Sequence, residues 1–405
     1  MNSLRNVAFK LSLAQGASGL VGGAYVPFFG AWLAWRGLSA TDISTVLAIG
    51  MLLRVVAAPL SGLIADARND RRGVMLTLNV VVLVAYASFN WPSGFYGVAV
   101  ATIIGSIGLG ATSPLLESVS VRLSERFGFD YGRVRLWASS IYVGGNVLSG
   151  IAVSIFGLWI IAPWLTFALI ANVAASYLLP KPRTDTPRSD FSVRLRAIFA
   201  EARELLAMPV FLIFLCAAGL AQGSHAFLYG YAGLHWRALG YSGALIGVLV
   251  PIGILVEIAL FSVSLRVFRL MGAPLLLIWG GLGCLFRWTI LGFDPPLALV
   301  FLAQSLHGFS FAMSHLGAMY FILKAVPPRL SATAQSLYAV ASSGVFMGLG
   351  TFASGPLYSV YGGGAYFLMA AMGAGAALFA LLLMRRWHGG RITTQIETEE
   401  GHDTI

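Results

Sequence analysis

The chain has 405 residues, 58% hydrophobic and only 10% charged, against about 25% charged in an ordinary soluble domain. There is too little polar surface to coat a water-soluble fold. The net charge of +10 would suit a nucleic-acid binder if the basic residues clustered on a folded surface, but they fall instead between long apolar runs.

A spanning helix needs about 20 mostly apolar residues. The runs are continuously apolar and do not alternate, which predicts helices and excludes barrel strands. Spans are predicted at 8–34, 42–64, 73–91, 95–121, 136–158, 161–180, 208–234, 243–265, 273–292, 296–322, 332–359 and 364–384. The first follows Arg5 and Lys10, is too long for a signal-peptide core and ends without an Ala-x-Ala site, so it reads as a retained helix. Of the 26 Lys and Arg, 22 lie on one side of this topology: Arg5, Lys10, Arg68 to Arg72, Arg122 to Arg135, Lys181 to Arg203, Arg266, Arg269, Lys324, Arg329 and Arg385 to Arg391. The opposite loops hold only Arg36 and Arg237. This bias predicts a bacterial-type inner membrane protein with both termini in the cytoplasm. Cys216 and Cys284 fall inside spans and read as small apolar packing residues, with no disulfide framework or Cys-rich metal site.

The polar stretch from Lys181 to Ala207 divides six spans from six. The expected organisation is an N-terminal six-helix bundle (1–180), a cytoplasmic linker (181–207), a C-terminal six-helix bundle (208–388) and a polar cytoplasmic tail (389–405) carrying Glu397, Glu399, Glu400 and Asp403. Two short matches support the division. Trp35-Arg36-Gly37-Leu38 after span 1 returns as Trp236-Arg237-Ala238-Leu239 after span 7, and Gly110 with Glu117 in span 4 matches Gly308 with His315 in span 10. The predicted fold class is an all-α membrane protein of twelve transmembrane helices in two pseudosymmetric bundles. Parallel halves with a midplane substrate site are a known transporter plan.

A charged or titratable group inside a bilayer needs a partner or a wet cavity. Those within spans are Arg54, Glu117, His225, Glu257, Arg287, His307 and His315. Glu257 is a candidate for proton binding, or else a permanently ionised partner of Arg287. Gln304, His307, Phe311 and His315 share one stripe of span 10, and Gln222, His225 and Tyr229 one stripe of span 7. The histidines suit proton transfer or substrate binding, with structural roles as the alternative. No carboxylate or Cys completes a metal site with the two histidines of span 10. Arg54 could fork onto a carboxylate substrate or pair with Glu117 or a backbone carbonyl. Glu117, near the cytoplasmic mouth, is a gating candidate with Arg133 and Arg135 as partners. No P-loop, His-Glu-x-x-His or Gly-x-Ser-x-Gly motif is present, and no cofactor or enzymatic activity is expected.

Gly62-Leu63-Ile64-Ala65-Asp66 with Arg71-Arg72 resembles the loop 2–3 signature of the major facilitator superfamily, one residue longer and without its Gly. The resemblance assigns Asp66 and Arg71 to gating. Ser224-His225-Ala226-Phe227-Leu228-Tyr229-Gly230 with Trp236, Val256-Glu257, Tyr131-Gly132-Arg133-Val134-Arg135-Leu136-Trp137, and His307 with His315 resemble the phenylpropionate permease branch of that superfamily across residues 1–388. It implies a monomeric proton symporter of small aromatic acids such as 3-phenylpropionate. A looser likeness to sugar–proton symporters rests on Glu257, Arg287 and His315 or His307; their additional acidic residue in helix 10 has no counterpart here.

The expected function is proton-coupled symport of a small organic solute by alternating access. Proton coupling is expected at Glu257, His307, His315 and Arg287, and substrate binding at Arg54, Gln222, His225, Tyr229 and Gln304. The rivals are a sugar or nucleoside symporter, a proton-driven exporter whose cavity the 26 Phe and 10 Trp would line, and a non-transporting assembly component.

Overall fold

The computed structural model describes residues 2–180 and 191–392; these are helical throughout apart from short connections, with no strand among them. Residues Lys181–Asp190 of the linker, the acidic tail with Glu397, Glu399, Glu400 and Asp403, and the side chains of Arg5, Arg266 and Arg269 lie outside the described part.

In chain order the helices are α1 (Asn2–Trp35), α2 (Ala40–Arg68), α3 (Arg71–Ala87), α4 (Phe95–Phe127), α5 (Tyr131–Phe156), α6 (Ile161–Leu178), α7 (Phe191–Leu206), α8 (Pro209–Gly223), α9 (Ala226–Ala238), α10 (Gly243–Ser262), α11 (Ser264–Gly292), α12 (Leu297–Ser305), α13 (Ser314–Ala325), α14 (Ser331–Ala339), α15 (Met347–Tyr361) and α16 (Tyr366–Arg386). Among the described residues, eleven stretches are long and apolar enough to cross a membrane, and ten of them each lie within a few residues of one predicted span. The last of them, Pro328–Arg386, has 59 residues. As one helix it would run about 88 Å, nearly three times the hydrocarbon thickness. It is broken at Gly362, whose φ of 54° no helix accommodates, so it supplies two crossings and brings the total to twelve. Phe167 and Ile155, each 67% exposed, show the outward apolar surface that lipid requires.

Short polar caps set the helix starts. Ser39 and Asp42 form a capping box at α2, each side chain taking the other's backbone N–H at 3.1 and 3.0 Å. Asp70 and Asp130 cap α3 and α5 by accepting from Gly73 N and Gly132 N, both at 2.8 Å. The loop between α2 and α3 turns on Asn69, left-handed at φ 52°. Asparagine tolerates that conformation, so the turn forms without a glycine.

Three spans are interrupted within their apolar length. The seventh breaks at Ser224–His225, between α8 and α9. The tenth passes through a π-helical turn at Gly308–Met313, and the next through another at Val340–Phe346. Such turns sit often at functional sites. The polar stretch after Lys181 is also less loop-like than the charge run implied, because Phe191–Leu206 forms helix α7.

The chain packs as two compact units. The first comprises α1–α6 with Phe227–Ile254 and Thr351–Gly362. Glycines set its closest crossings: a Cβ on Gly233 would lie 1.7 Å from the carbonyl oxygen of Pro27, and one on Gly150 would lie 2.5 Å from that of Gly243. The second unit comprises Ser192–Ala226, Leu255–Gly350 and the chain from Gly363. Phe214 stacks on Phe321 at 4.3 Å in its core, and Leu205 and Leu383 are fully buried beside them. The matched tetrapeptides end their helices differently, α1 at Trp35 and α9 two residues past Trp236, and Trp35 is 54% exposed whereas Trp236 is buried.

Candidate functional site

The second unit holds a buried polar network centred on Arg287 of α11, whose side chain is 1% exposed. A guanidinium carries only donors, and it must find acceptors when removed from water. Its Nη1 donates to His307 Nδ1 at 2.7 Å and to Ser310 Oγ at 3.1 Å, and its Nη2 donates to Gln304 Oε1 at 2.8 Å. The guanidinium carbon also lies 4.4 Å from the ring centre of Trp288, a cation–π contact.

These contacts fix the proton positions. His307 Nδ1 faces a donor, so it accepts, and the neutral ring carries its proton on Nε2. That nitrogen lies 3.5 Å from Oε2 of Glu257. Protonating His307 at Nδ1 would set one N–H against another, so the Arg287 contact must break first. His225 takes the opposite tautomer: its Nδ1 faces the carbonyl oxygens of Ala221 and Gln222, both at 3.2 Å, so Nδ1–H donates. Its Nε2 then accepts from the Ser310 hydroxyl at 3.3 Å. Each link from Arg287 through Ser310 to His225 has one direction, and Glu257 lies against the far nitrogen of His307.

The interrupted helices make this possible. The break after Gly223 turns the His225 ring edge-on to Trp288 at 5.1 Å and to His307 at 5.4 Å. Gln222 Nε2 donates to Ser314 Oγ at 2.8 Å and to the carbonyl of Phe311 at 3.2 Å, pinning α8 to the π-turn. Cys284 Sγ donates to the carbonyls of Ala221 and Ser310 at 3.5 and 3.6 Å. The predicted stripe of span 10 appears as a ladder of rings: His307 stacks on Phe311 at 5.1 Å, and Phe311 on His315 at 6.1 Å. His315 stands at its far end, 3.4 Å from the Tyr338 hydroxyl.

The stripe expected for span 7 does not hold together, because its spacing assumed an unbroken helix. Gln222 lies before the break and His225 within it, whereas Tyr229 lies beyond it and belongs to the first unit.

In the first unit, Arg54 Nε donates to the backbone carbonyl of Ser106 at 2.7 Å, the carbonyl pairing that the sequence left open. Glu117 pairs elsewhere. Among the described residues, the two Nη groups of Arg54 meet no acceptor. Gly110 lies flat against the Arg54 stem, where a Cβ would come within 2.3 Å of Cδ. Beside it Tyr25 shares a hydrogen bond with Ser106 Oγ at 3.3 Å and stacks on Phe29 at 4.5 Å and Tyr86 at 6.3 Å.

The gating candidates form two clusters. Arg71 bridges Asp66 and the Ser118 hydroxyl, joining the α2–α3 turn to α4. Glu117 pairs with Arg135 at 2.5 Å and accepts from the Tyr131 hydroxyl. Arg133 is not its partner: that side chain is 87% exposed and sits 3.7 Å from Asp130 on its own helix start. Ser310, Trp288 and Ser118 are not marked in the sequence as site residues because uncharged residues in an apolar run carry no hydropathic signal, and the hydroxyl role of Tyr131 is not marked by its motif. Ser310 could have been found as the position three after His307, and Tyr131 as the position four before Arg135.

A multi-pass helical chain with interrupted spans and a buried ionisable network is built as a transporter, and its fold is that of the major facilitator proteins. The solved structure of the nucleoside transporter NupG matches with a TM-score of 0.77 at 16% identity, covering 94% of this chain and 98% of that one. A D-xylose–proton symporter matches with a TM-score of 0.68 at 17% identity, covering 93% and 97%. The chain belongs to the MFS_1 like family, whose model matches residues 19–369. Among its relatives is a probable 3-phenylpropionic acid transporter of Escherichia coli (strain K12), 28% identical over 86% of this chain and 90% of that protein. The maltose permease of Geobacillus stearothermophilus is 24% identical, covering 90% and 91%. The protein is thus a membrane-embedded transporter of a small molecule and not an enzyme.

Proposed function

We propose that this transporter is a proton-coupled symporter that imports a small aromatic carboxylate, of the 3-phenylpropionate kind, across the bacterial inner membrane as a monomer with both termini in the cytoplasm. Alternating access would be carried by two six-helix halves, residues 1–180 and 208–388.

The observation that carries the proton coupling is the fixed direction of the Arg287–His307–Glu257 chain. His307 accepts from Arg287 at Nδ1 and turns its own N–H towards Glu257, which supports Glu257 as the group that takes the proton. Once Glu257 is neutral, His307 loses the charge that orients it and its hold on Arg287 weakens. Proton uptake is thereby coupled to the packing of α10, α11 and the π-turn. Arg54, with two Nη groups unspent and Tyr25 stacked nearby, is the candidate receiver of the substrate carboxylate and ring. The 28% identity with the phenylpropionic acid relative supports that substrate class.

The test is uptake in proteoliposomes, following external pH after adding 3-phenylpropionate and then a panel of small acids, sugars and nucleosides. Alkalinisation evoked by an aromatic acid and lost in Glu257→Gln is the expected result. A response only to a sugar or nucleoside keeps the coupling and replaces the substrate. Silence across the panel overturns symport in favour of export or of an assembly role.

A further inference from the structure

Helix α7 has two unlike faces. Its inward face is tied to the body of the second unit: Glu204 forks onto Arg329 at 2.8 and 2.5 Å, Glu201 accepts from the Thr333 hydroxyl, and Leu205 is fully buried. Both of its acidic residues are therefore consumed on that side. Its outward face carries Arg196, Phe199 and Arg203 at i, i+3 and i+7, which places them on one surface. Phe199 is 68% exposed and Val193 62%. Large apolar side chains so exposed on a helix flanked by arginines call for a partner that is apolar below and anionic above.

The chain itself says where that partner lies. Only Ala207 and Met208 separate α7 from α8, which begins the membrane-crossing stretch Pro209–Ala238. Phe199 is ten residues from Pro209, at most about 15 Å along a helix, within reach of the bilayer boundary. A second copy fits poorly, because a symmetric contact through this face would set Arg196 and Arg203 against their own counterparts. We propose that α7 is a membrane-surface anchor whose Arg196 and Arg203 bind the phosphate groups of anionic phospholipids while Phe199 and Val193 enter the headgroup–acyl boundary. Arginine stems lie along apolar surface and lift the charged head to the phosphate level. The acids on the inward face hold the helix to Arg329 and Thr333, so lipid contact and the position of α14 are linked.

The test is hydrogen exchange of α7 amides in the full-length protein, held in nanodiscs of phosphatidylcholine alone or with phosphatidylglycerol. Exchange about thirtyfold slower with the anionic lipid is expected, the order of effect that two cations near an anionic surface give. The difference should vanish in Arg196→Gln/Arg203→Gln and in high salt, and Phe199→Asp should abolish the protection in both discs. Unaltered exchange in α8–α16 of the variants shows that they fold. Equal exchange in the two discs overturns the proposal. So does protection that rises with protein concentration in detergent, or that requires an added acidic soluble protein.

Discussion

Arg54 and Glu257 each sit on a helix pressed against a glycine of a neighbour: Gly110 against the Arg54 stem and Gly308 against Val256, the residue before Glu257. The surroundings differ. Arg54 is held by one backbone carbonyl and lies near aromatic rings, so its two Nη groups remain available. Glu257 faces a histidine whose other nitrogen is held by a buried arginine, so a change in its charge reaches three helices. A cation with spare donors suits recognition of a substrate anion, and a carboxylate wired into a network suits a step that must alter the protein. The first surroundings should therefore govern affinity and the second coupling.

The largest effect should come from removing Arg287. In Arg287→Met the acceptors His307, Ser310 and Gln304 lose their shared donor and a buried charge balance is broken, a change on the order of 3–5 kcal/mol. Thermal unfolding in detergent should show it, and the double variant Arg287→Met/Glu257→Gln should regain part of the stability without regaining uptake. If the single and double variants unfold alike, the two charges are not coupled. Next comes the split between coupling and affinity. Glu257→Gln should lose proton-driven accumulation while keeping substrate exchange across the membrane, which needs no net proton. Arg54→Met should weaken substrate binding about tenfold to a hundredfold, the worth of roughly 1.5–3 kcal/mol for a charged hydrogen bond, and leave the proton-to-substrate ratio of the residual uptake unchanged. Finding the reverse pattern would exchange the two roles.

Smaller effects sharpen the same contrast. Gly110→Ala meets the flexible Arg54 side chain and should displace it, lowering affinity with little change in thermal stability. Gly308→Ala, with its Cβ 2.7 Å from Val256 Cγ1, meets a stiff branched residue and should alter coupling. Ser310→Ala removes one hydroxyl between Arg287 and His225, worth about 1 kcal/mol, seen as a few-fold loss of accumulation. Arg133→Gln, on a side chain 87% exposed, should change nothing measurable in uptake.

The spans and the charged members of the network were legible in the sequence because a charge within twenty apolar residues has no innocent explanation in lipid. Arg287, Glu257, His307 and Gln304 come together for that reason. The interruptions were not legible: no proline marks Ser224–His225 or Gly308–Met313, and their geometry depends on the neighbours that take up the freed backbone groups. The first of these interruptions stands between Gln222 and Tyr229, which the sequence spacing puts on one stripe. Arg133 and Arg135 are equally basic in the sequence, yet two residues along a helix turn the side chain to another face, and only Arg135 reaches Glu117.

The π-turn has a consequence for how the span can change in length. In an α-helix, eight residues leave His307 and His315 about 80° out of phase; the wider turn at Gly308–Met313 takes up that difference and brings their rings into line through Phe311. Deleting one residue inside the turn would return it to α-geometry with the flanks still in register, whereas the same deletion within Leu297–Ser305 would swing Gln304 and the residues after it by about 100° relative to the start of the helix. Gains and losses of single residues among descendants of this chain should therefore gather at Gly308–Met313, making it the place where evolution can lengthen or shorten the helix without turning its chemistry away from Arg287.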